Sequence, residues 1–368
     1  MNKKAALGAS FAALTFAVCL PALALPAAQL LDDRAITFQS PQDIAARRQA
    51  LIRFLWGAPG FPSAKLPSIK QNIPSPVSAL DNLLRVDELH ISMDEGEHGL
   101  AYHFIARRSN GRLVVLHQGH GCTFDDSASA AGTNFGMQRA ISELLDAHFS
   151  VLAVYMPHEI PGDCLGTTHH NAMLAAASAT GAGSPIRFFL EPVAASLNYL
   201  QTKSDADRFP EYHEFDMVGF SGGGWTTTVY AAIDPRITMS FPVAGTLPLY
   251  LRTGSSAGDA EQTFANFYRI AGYPDLYVMG AYGASRKQVQ VLNRRDSCCF
   301  GEKQHNAAQF GVSWDEGIRS YESRVQDALL HLGGQGSFRL EIDEESTGHM
   351  LSHHAIVDVI LAELRAKR

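Results

Sequence analysis

The sequence predicts an α/β protein whose mainly parallel sheet is covered on both faces. Two observations predict it. Short apolar runs at 113–117, 151–155, 215–220, 237–243, 289–293 and 338–342 read as buried strands. Helical stretches at 138–147, 185–200 and 224–233 fall between several of them, and strands alternating with helices make a parallel sheet. Two earlier runs, 86–93 and 100–107, have no helix between them and form an expected antiparallel edge.

The chain opens with Lys3 and Lys4, an apolar stretch over residues 5–20, and Pro21-Ala22-Leu23-Ala24. A positive start, a short apolar core and an A-x-A site read as a secretory signal peptide over 1–24, cut after Ala24. The run is too short to span a bilayer. Val18 before Cys19 is bulkier than lipoprotein processing takes, so the expectation is a freely soluble exported protein, periplasmic or secreted. Loss of two lysines with the leader takes the formal charge from −7 to −9. That charge is spread along the chain without a basic stripe, which excludes nucleic acid as an expected partner. No later stretch is long and apolar enough for stable membrane insertion, and the length suits one large domain with inserts.

Residues 25–85 read as an N-terminal extension, with Ser40-Pro41 opening a helix over 43–56 and an irregular Pro/Ser-rich segment over 59–76. The main domain covers 86–368, with inserts at about 157–184 and 245–282. Beyond the leader there are four cysteines. Cys122 follows one predicted strand and Cys164 the next, so both sit at one sheet edge and a Cys122–Cys164 disulfide is expected. Cys298 and Cys299 are left as a vicinal disulfide or two free thiols.

The most informative residues are Gly219-Phe220-Ser221-Gly222-Gly223, between a strand and a small-residue helix. Glycines without Cβ let strand and helix pack close while Ser221 projects its hydroxyl, the arrangement of a nucleophile elbow. A serine hydroxyl needs a base, and the base needs an acid to hold its ring. His349, seven positions past the last strand, is the candidate base; His353 and His354 fall in the following helix. Asp296, at the carboxyl end of the 289–293 strand, is the candidate acid, with Asp343 and Glu344 in reserve. The developing oxyanion needs two N–H donors. Gly222 is one, and Gly119 or His120 in the loop Gln118-Gly119-His120-Gly121-Cys122 is the other.

In this order, Ser221, Asp296, His349, with a His-Gly-type loop after the third strand, the chain from about residue 86 onward resembles the α/β-hydrolase superfamily. The resemblance implies an eight-stranded, mostly parallel sheet, a serine nucleophile and inserts that often form a lid. Gln118 departs from it, standing where a glycine commonly follows the first histidine, and Asp-Ser-Cys-Cys-Phe after the acid has no assigned role. Tyr250, Phe264, Phe267, Tyr268, Tyr273 and Tyr277 in the second insert are candidates for a cleft lining or for core. His158, Glu159, Asp163, His169 and His170 match no metal-ligand spacing, so no metal or other cofactor is expected. The function expected is hydrolysis of a small-molecule or polymeric carboxylic ester. A peptidase, amidase or acyltransferase with the same three residues, and a catalytically silent binding protein, are the alternatives.

Overall fold

The computed structural model describes residues 32–78, 80–124, 136–176, 183–202, 209–252, 258–304 and 311–367; the expected leader and Cys19 lie outside the described residues. Helix α1 (Pro41–Trp56) is followed by strands β1 (Ser68–Ile73), β2 (Leu83–Ser92), β3 (His98–Ala106) and β4 (Arg112–His117). Next come α2 (Met137–Asp146), β5 (Ser150–Val154), the short strands β6 (Glu159–Ile160) and β7 (Asp163–Cys164), and α3 (Gly166–Ala176). Then α4 (Glu191–Gln201), β8 (Glu214–Phe220), α5 (Gly222–Ile233), β9 (Ile237–Val243), β10 (Lys287–Asn293) and β11 (Ser337–Asp343) complete the frame.

Nine strands form the sheet, in the order β1-β2-β3-β5-β4-β8-β9-β10-β11, against the eight expected. The run from β5 to β11 is parallel. Strands β1, β2 and β3 form the antiparallel edge, with β3 antiparallel to β5. The ninth strand is β1, inside the stretch expected to be irregular. It pairs with β2 in the register Ser68↔His90 to Ile73↔Val86, and most of its side chains are exposed. An exposed edge strand needs no apolar run, so nothing in composition announces it.

The parallel strands are buried on both faces because their residues alternate between two cores. Leu113 and Val115 of β4, with Leu152 and Val154 of β5, face the core under α1, α4 and α5. Val114, Leu116, Val151 and Ala153 face the core under α2 and the C-terminal helix. The N-terminal extension braces the domain. Leu51, Leu55 and Trp56 of α1 are buried in the first core, and Trp56 Nε1 donates to Glu191 Oε1 at 2.9 Å. The second insert is mostly sheet cover. Phe267, Tyr268, Tyr273 and Tyr277 are core, with Tyr250 and Phe264 partly buried against it, and Tyr273–Ala281 is a helix on α5.

Helices Gly166–Ala176, Tyr273–Ala281 and Trp314–His331 escaped the sequence reading, and the longest of them, Trp314–His331, packs on β11. Its buried residues Trp314, Ile318, Tyr321, Val325 and Leu329 recur at helical spacing, behind a Ser313/Glu316 capping box.

Candidate active site

Strand β8 delivers the chain to Ser221, whose backbone holds a left-handed φ of 56°. The Ser221 carbonyl accepts from Gly224 and Trp225 N–H as α5 begins, so the side chain stands at the mouth of the helix. The glycines on either side are dictated by contact. A Cβ on Gly219 would lie 2.0 Å from the Gly223 carbonyl oxygen, and one on Gly223 would lie 2.2 Å from that of His117.

The structure brings the three sequence candidates into one line. His349 Nε2 lies 2.8 Å from Ser221 Oγ, and His349 Nδ1 lies 2.7 Å from Asp296 Oδ2. Asp296 is 1% exposed, so its charge faces the imidazole through protein rather than water. Burial pushes the His349 pKa down, the Cys299 sulfur and the Asp296 carboxylate push it up, and the net is upward, to about 10.

The segment after Asp296 has a role the sequence did not reveal. The backbone N–H groups of Cys298 and Cys299 both donate to Asp296 Oδ1 at 2.8 Å, leaving Oδ2 for His349. Cys299 is a free thiol and Cys298 is disulfide-bonded but not to its neighbour, whose sulfur lies 3.1 Å away, so neither the vicinal bridge nor the pair of free thiols is found. The loop bearing His349 is clasped by Asn293 of β10, whose amide donates to the carbonyls of Gly348 and Met350 at 3.3 and 2.8 Å. The reserve acids lie elsewhere. Asp343 accepts from Glu345, Ser346 and Ser352 in that same loop, and Glu344 pairs with Arg294. His354 opens the C-terminal helix and pairs with Glu341 and Asp358.

The loop after β4 passes directly over the serine, and a Cβ on Gly119 would lie 2.6 Å from Ser221 Cβ. Gln118 shapes this loop. Its Nε2 donates to the Thr123 carbonyl at 2.9 Å and its Oε1 accepts from Gly119 N–H at 3.0 Å. Of the two alternatives for the second donor, the Gly119 N–H is therefore already engaged by Gln118. Gly222 is the first residue of α5, where no helical carbonyl can reach its N–H. The Cys122–Cys164 disulfide is present, with Cα atoms 5.8 Å apart, and ties this loop to β7 of the first insert.

The His120 side chain turns into a polar wall. Its Nε2 lies 3.3 Å from His170 Nδ1 and 3.7 Å from Glu261 Oε1, and its Nδ1 lies 3.7 Å from Asp259 Oδ2. Burial and then the Asp259 charge push the Glu159 pKa up to about 7. The same two causes hold the Glu261 pKa well above the carboxylate range. The His120 pKa is lowered by burial, against the pull of Asp259.

No protein-family model matches the sequence, and no curated protein matches it. Similarity appears at the level of structure. Acetyl xylan esterase 1 from Thermoanaerobacterium sp. JW/SL YS485 superposes with a TM-score of 0.52 at 12% identity, over 89% of this chain and 94% of that one. The acetyl xylan esterase from Paenibacillus sp. R4 gives 0.52 at 12% identity, over 93% and 99% of the two chains. The glucuronoyl esterase from Solibacter usitatus gives 0.54 at 12% identity, over 94% and 98%. These neighbours are members of the α/β-hydrolase superfamily. With its mostly parallel sheet and helices on both faces, this chain has the α/β-hydrolase fold.

Proposed function

We propose that this protein is an exported serine hydrolase that cleaves a carboxylic ester through an acyl-enzyme. The observation that carries the reading is the pair of hydrogen-bond contacts Ser221–His349–Asp296, at 2.8 and 2.7 Å, on a strained elbow. Ser221 Oγ attacks the acyl carbon as His349 Nε2 takes its proton. The carbonyl oxygen becomes an oxyanion held by the N–H groups of Gly222 and His120. Collapse breaks the C–O bond, and His349 returns the proton to the leaving alcohol. Water then repeats the sequence on the acyl-enzyme and frees the acid. Asp296, with Oδ1 saturated by two backbone donors, keeps the imidazole proton on Nδ1 through Oδ2.

The polar wall of His120, His170, Glu159, Asp259 and Glu261 favours an ester with hydroxyl groups to bind over one with a long acyl chain. The xylan and glucuronoyl names of the structural neighbours agree with a carbohydrate ester. The same carboxylates support a second reading, an amide substrate with a free ammonium group. Export rests on the leader-like segment 1–24 and on a disulfide suited to an oxidising compartment.

The test is fluorophosphonate labelling of the mature protein, read by intact mass beside Ser221→Ala, followed by rates on p-nitrophenyl acetate, acetylated xylo-oligosaccharides and aminoacyl anilides. Stoichiometric labelling that the variant loses, with turnover of the esters, is the expected result. Absence of labelling would move the catalytically silent binding protein to the front, and preferential turnover of anilides would favour the amide reading.

A further inference from the structure

The first insert meets the turn between β2 and β3 through residues of that turn and of α3. Glu97 lies in that turn, His158 follows β5, Asp163 is in β7, and His169 is in α3. Glu97 stands between two imidazoles: its Oε2 is 2.7 Å from His158 Nε2, and its Oε1 is 3.4 Å from His169 Nε2. The two rings approach to a centroid distance of 3.6 Å. One ligand atom from each of the three residues lies within 4.8 Å of the other two.

We propose that Glu97, His158 and His169 bind a divalent ion of the zinc class, with Asp163 orienting His158. Two imidazole nitrogens and a carboxylate oxygen form a borderline donor set suited to Zn²⁺ rather than to Mg²⁺ or Ca²⁺. Donors around a tetrahedral zinc, at bond lengths near 2.0–2.2 Å, stand about 3.3 Å apart. The Glu97–His169 separation of 3.4 Å already meets that spacing. The Glu97–His158 pair, at 2.7 Å, opens by about 0.6 Å to meet it.

The second nitrogen of His158 carries the independent support. Asp163 Oδ2 lies 2.7 Å from His158 Nδ1, within ion-pair distance but out of line for a hydrogen bond, so this ring has a carboxylate beside each nitrogen and a small turn of the ring would engage the second. A carboxylate behind a histidine places the proton on the rear nitrogen and turns the other lone pair forward, as in carboxylate–histidine–zinc arrangements. Asp163 also reaches His98 Nε2 at 3.4 Å, which anchors it from a second strand. The ligands are shielded but not sealed, with side-chain exposures of 12% for Glu97 and His158 and 27% for His169, leaving a solvent side for entry and a fourth, water ligand. Bound there, the ion would tie α3 to the β2–β3 turn. Because His170 follows His169 and meets His120, it would also steady the wall of the proposed active site. The site itself does not depend on the esterase reading.

The experiment uses the full mature protein, purified without a histidine tag, stripped with EDTA and dialysed into zinc chloride. Zinc per chain is measured by mass spectrometry, affinity by competition with a chromophoric chelator, and melting with and without zinc, beside Glu97→Gln, His169→Gln and His170→Gln. Expected are about one zinc per wild-type chain, a melting temperature a few degrees higher with zinc, and no such rise with Mg²⁺. Glu97→Gln and His169→Gln should lose at least tenfold in affinity while melting like stripped wild type, and His170→Gln should keep its zinc. Less than a tenth of an ion per chain, unchanged affinity in the Glu97 and His169 variants, or loss only in His170→Gln would each overturn the proposal.

Discussion

Replacing Asp296 with Asn tests the proposed chemistry at one atom. Asp296 Oδ1 accepts both the Cys298 and Cys299 N–H groups at 2.8 Å, so an asparagine at this position must keep its oxygen there. Its NH₂ group then faces His349 Nδ1 across a contact that is now 2.7 Å. Two N–H donors cannot face each other, so the neutral imidazole moves its proton from Nδ1 to Nε2. The Nε2 atom, 2.8 Å from Ser221 Oγ, becomes a donor and can no longer take the serine proton. For such a tautomer inversion in a serine triad the loss in kcat is about 10⁴-fold, or ~5.4 kcal/mol of transition-state stabilisation. The assay is kcat and KM on p-nitrophenyl acetate from pH 7 to 10, with thermal melts alongside. KM and melting temperature should stay near wild type, because the backbone clasp on Oδ1 survives. Asp296→Ala, which removes the clasp as well, should lose both activity and stability. An Asn variant that kept a tenth or more of wild-type kcat while melting normally would refute the assignment of Asp296 as the acid.

The His349 pKa, raised to about 10, means that the imidazole becomes a free base only as pH climbs. The rate of kcat/KM should therefore rise from pH 6.5 toward 10, and Cys299→Ala, removing one upward influence, should shift the limb to lower pH; an unshifted limb would show that the sulfur has no such influence. His103 is fully buried against Tyr212, and burial lowers its pKa to about 3. The unfolded chain takes a proton near pH 6.5 that the native state refuses, so this residue's contribution to stability is full above 6.5 and falls as pH drops toward 3. Denaturant titrations of His103→Gln should show a stability-against-pH slope shallower than wild type by up to ~1.4 kcal/mol per pH unit in that window, and equal slopes would sink the assignment. The Cys122–Cys164 bridge closes a separation of 42 residues, for which chain entropy gives about 4 kcal/mol. Cys122→Ala/Cys164→Ala should melt several degrees lower and lose activity ahead of global unfolding, since the bridge anchors the His120 loop; a variant with unchanged melting and rate would count against both effects.

What the sequence by itself determined is local. Apolar runs such as Leu113–Leu116 make strands wherever they lie in a covered sheet, because burying them on both faces requires no particular partner. The Gly-x-Ser-x-Gly turn is legible because close approach forbids a Cβ at Gly219 and Gly223. Chain order then pointed to Asp296 and His349, each in the segment following a strand whose position followed from its apolar pattern. Even the passed-over helix Trp314–His331 carried its periodicity and capping box in the sequence. The tertiary structure alone decided how distant groups meet. Edge strand β1 exists because β2 offers it a row of backbone partners. Whether Tyr273 and Tyr277 were core or cleft depended on which surface closed over them. The clasp of Cys298 and Cys299 on Asp296, the hold of Asn293 on the His349 loop, and the capture of Gly119 N–H by Gln118 are contacts of one or two atoms. Composition and spacing carry the free energy of burial, which is non-directional and leaves its pattern in the chain. Hydrogen bonds between remote segments depend on angles and ångströms that only the closed fold supplies.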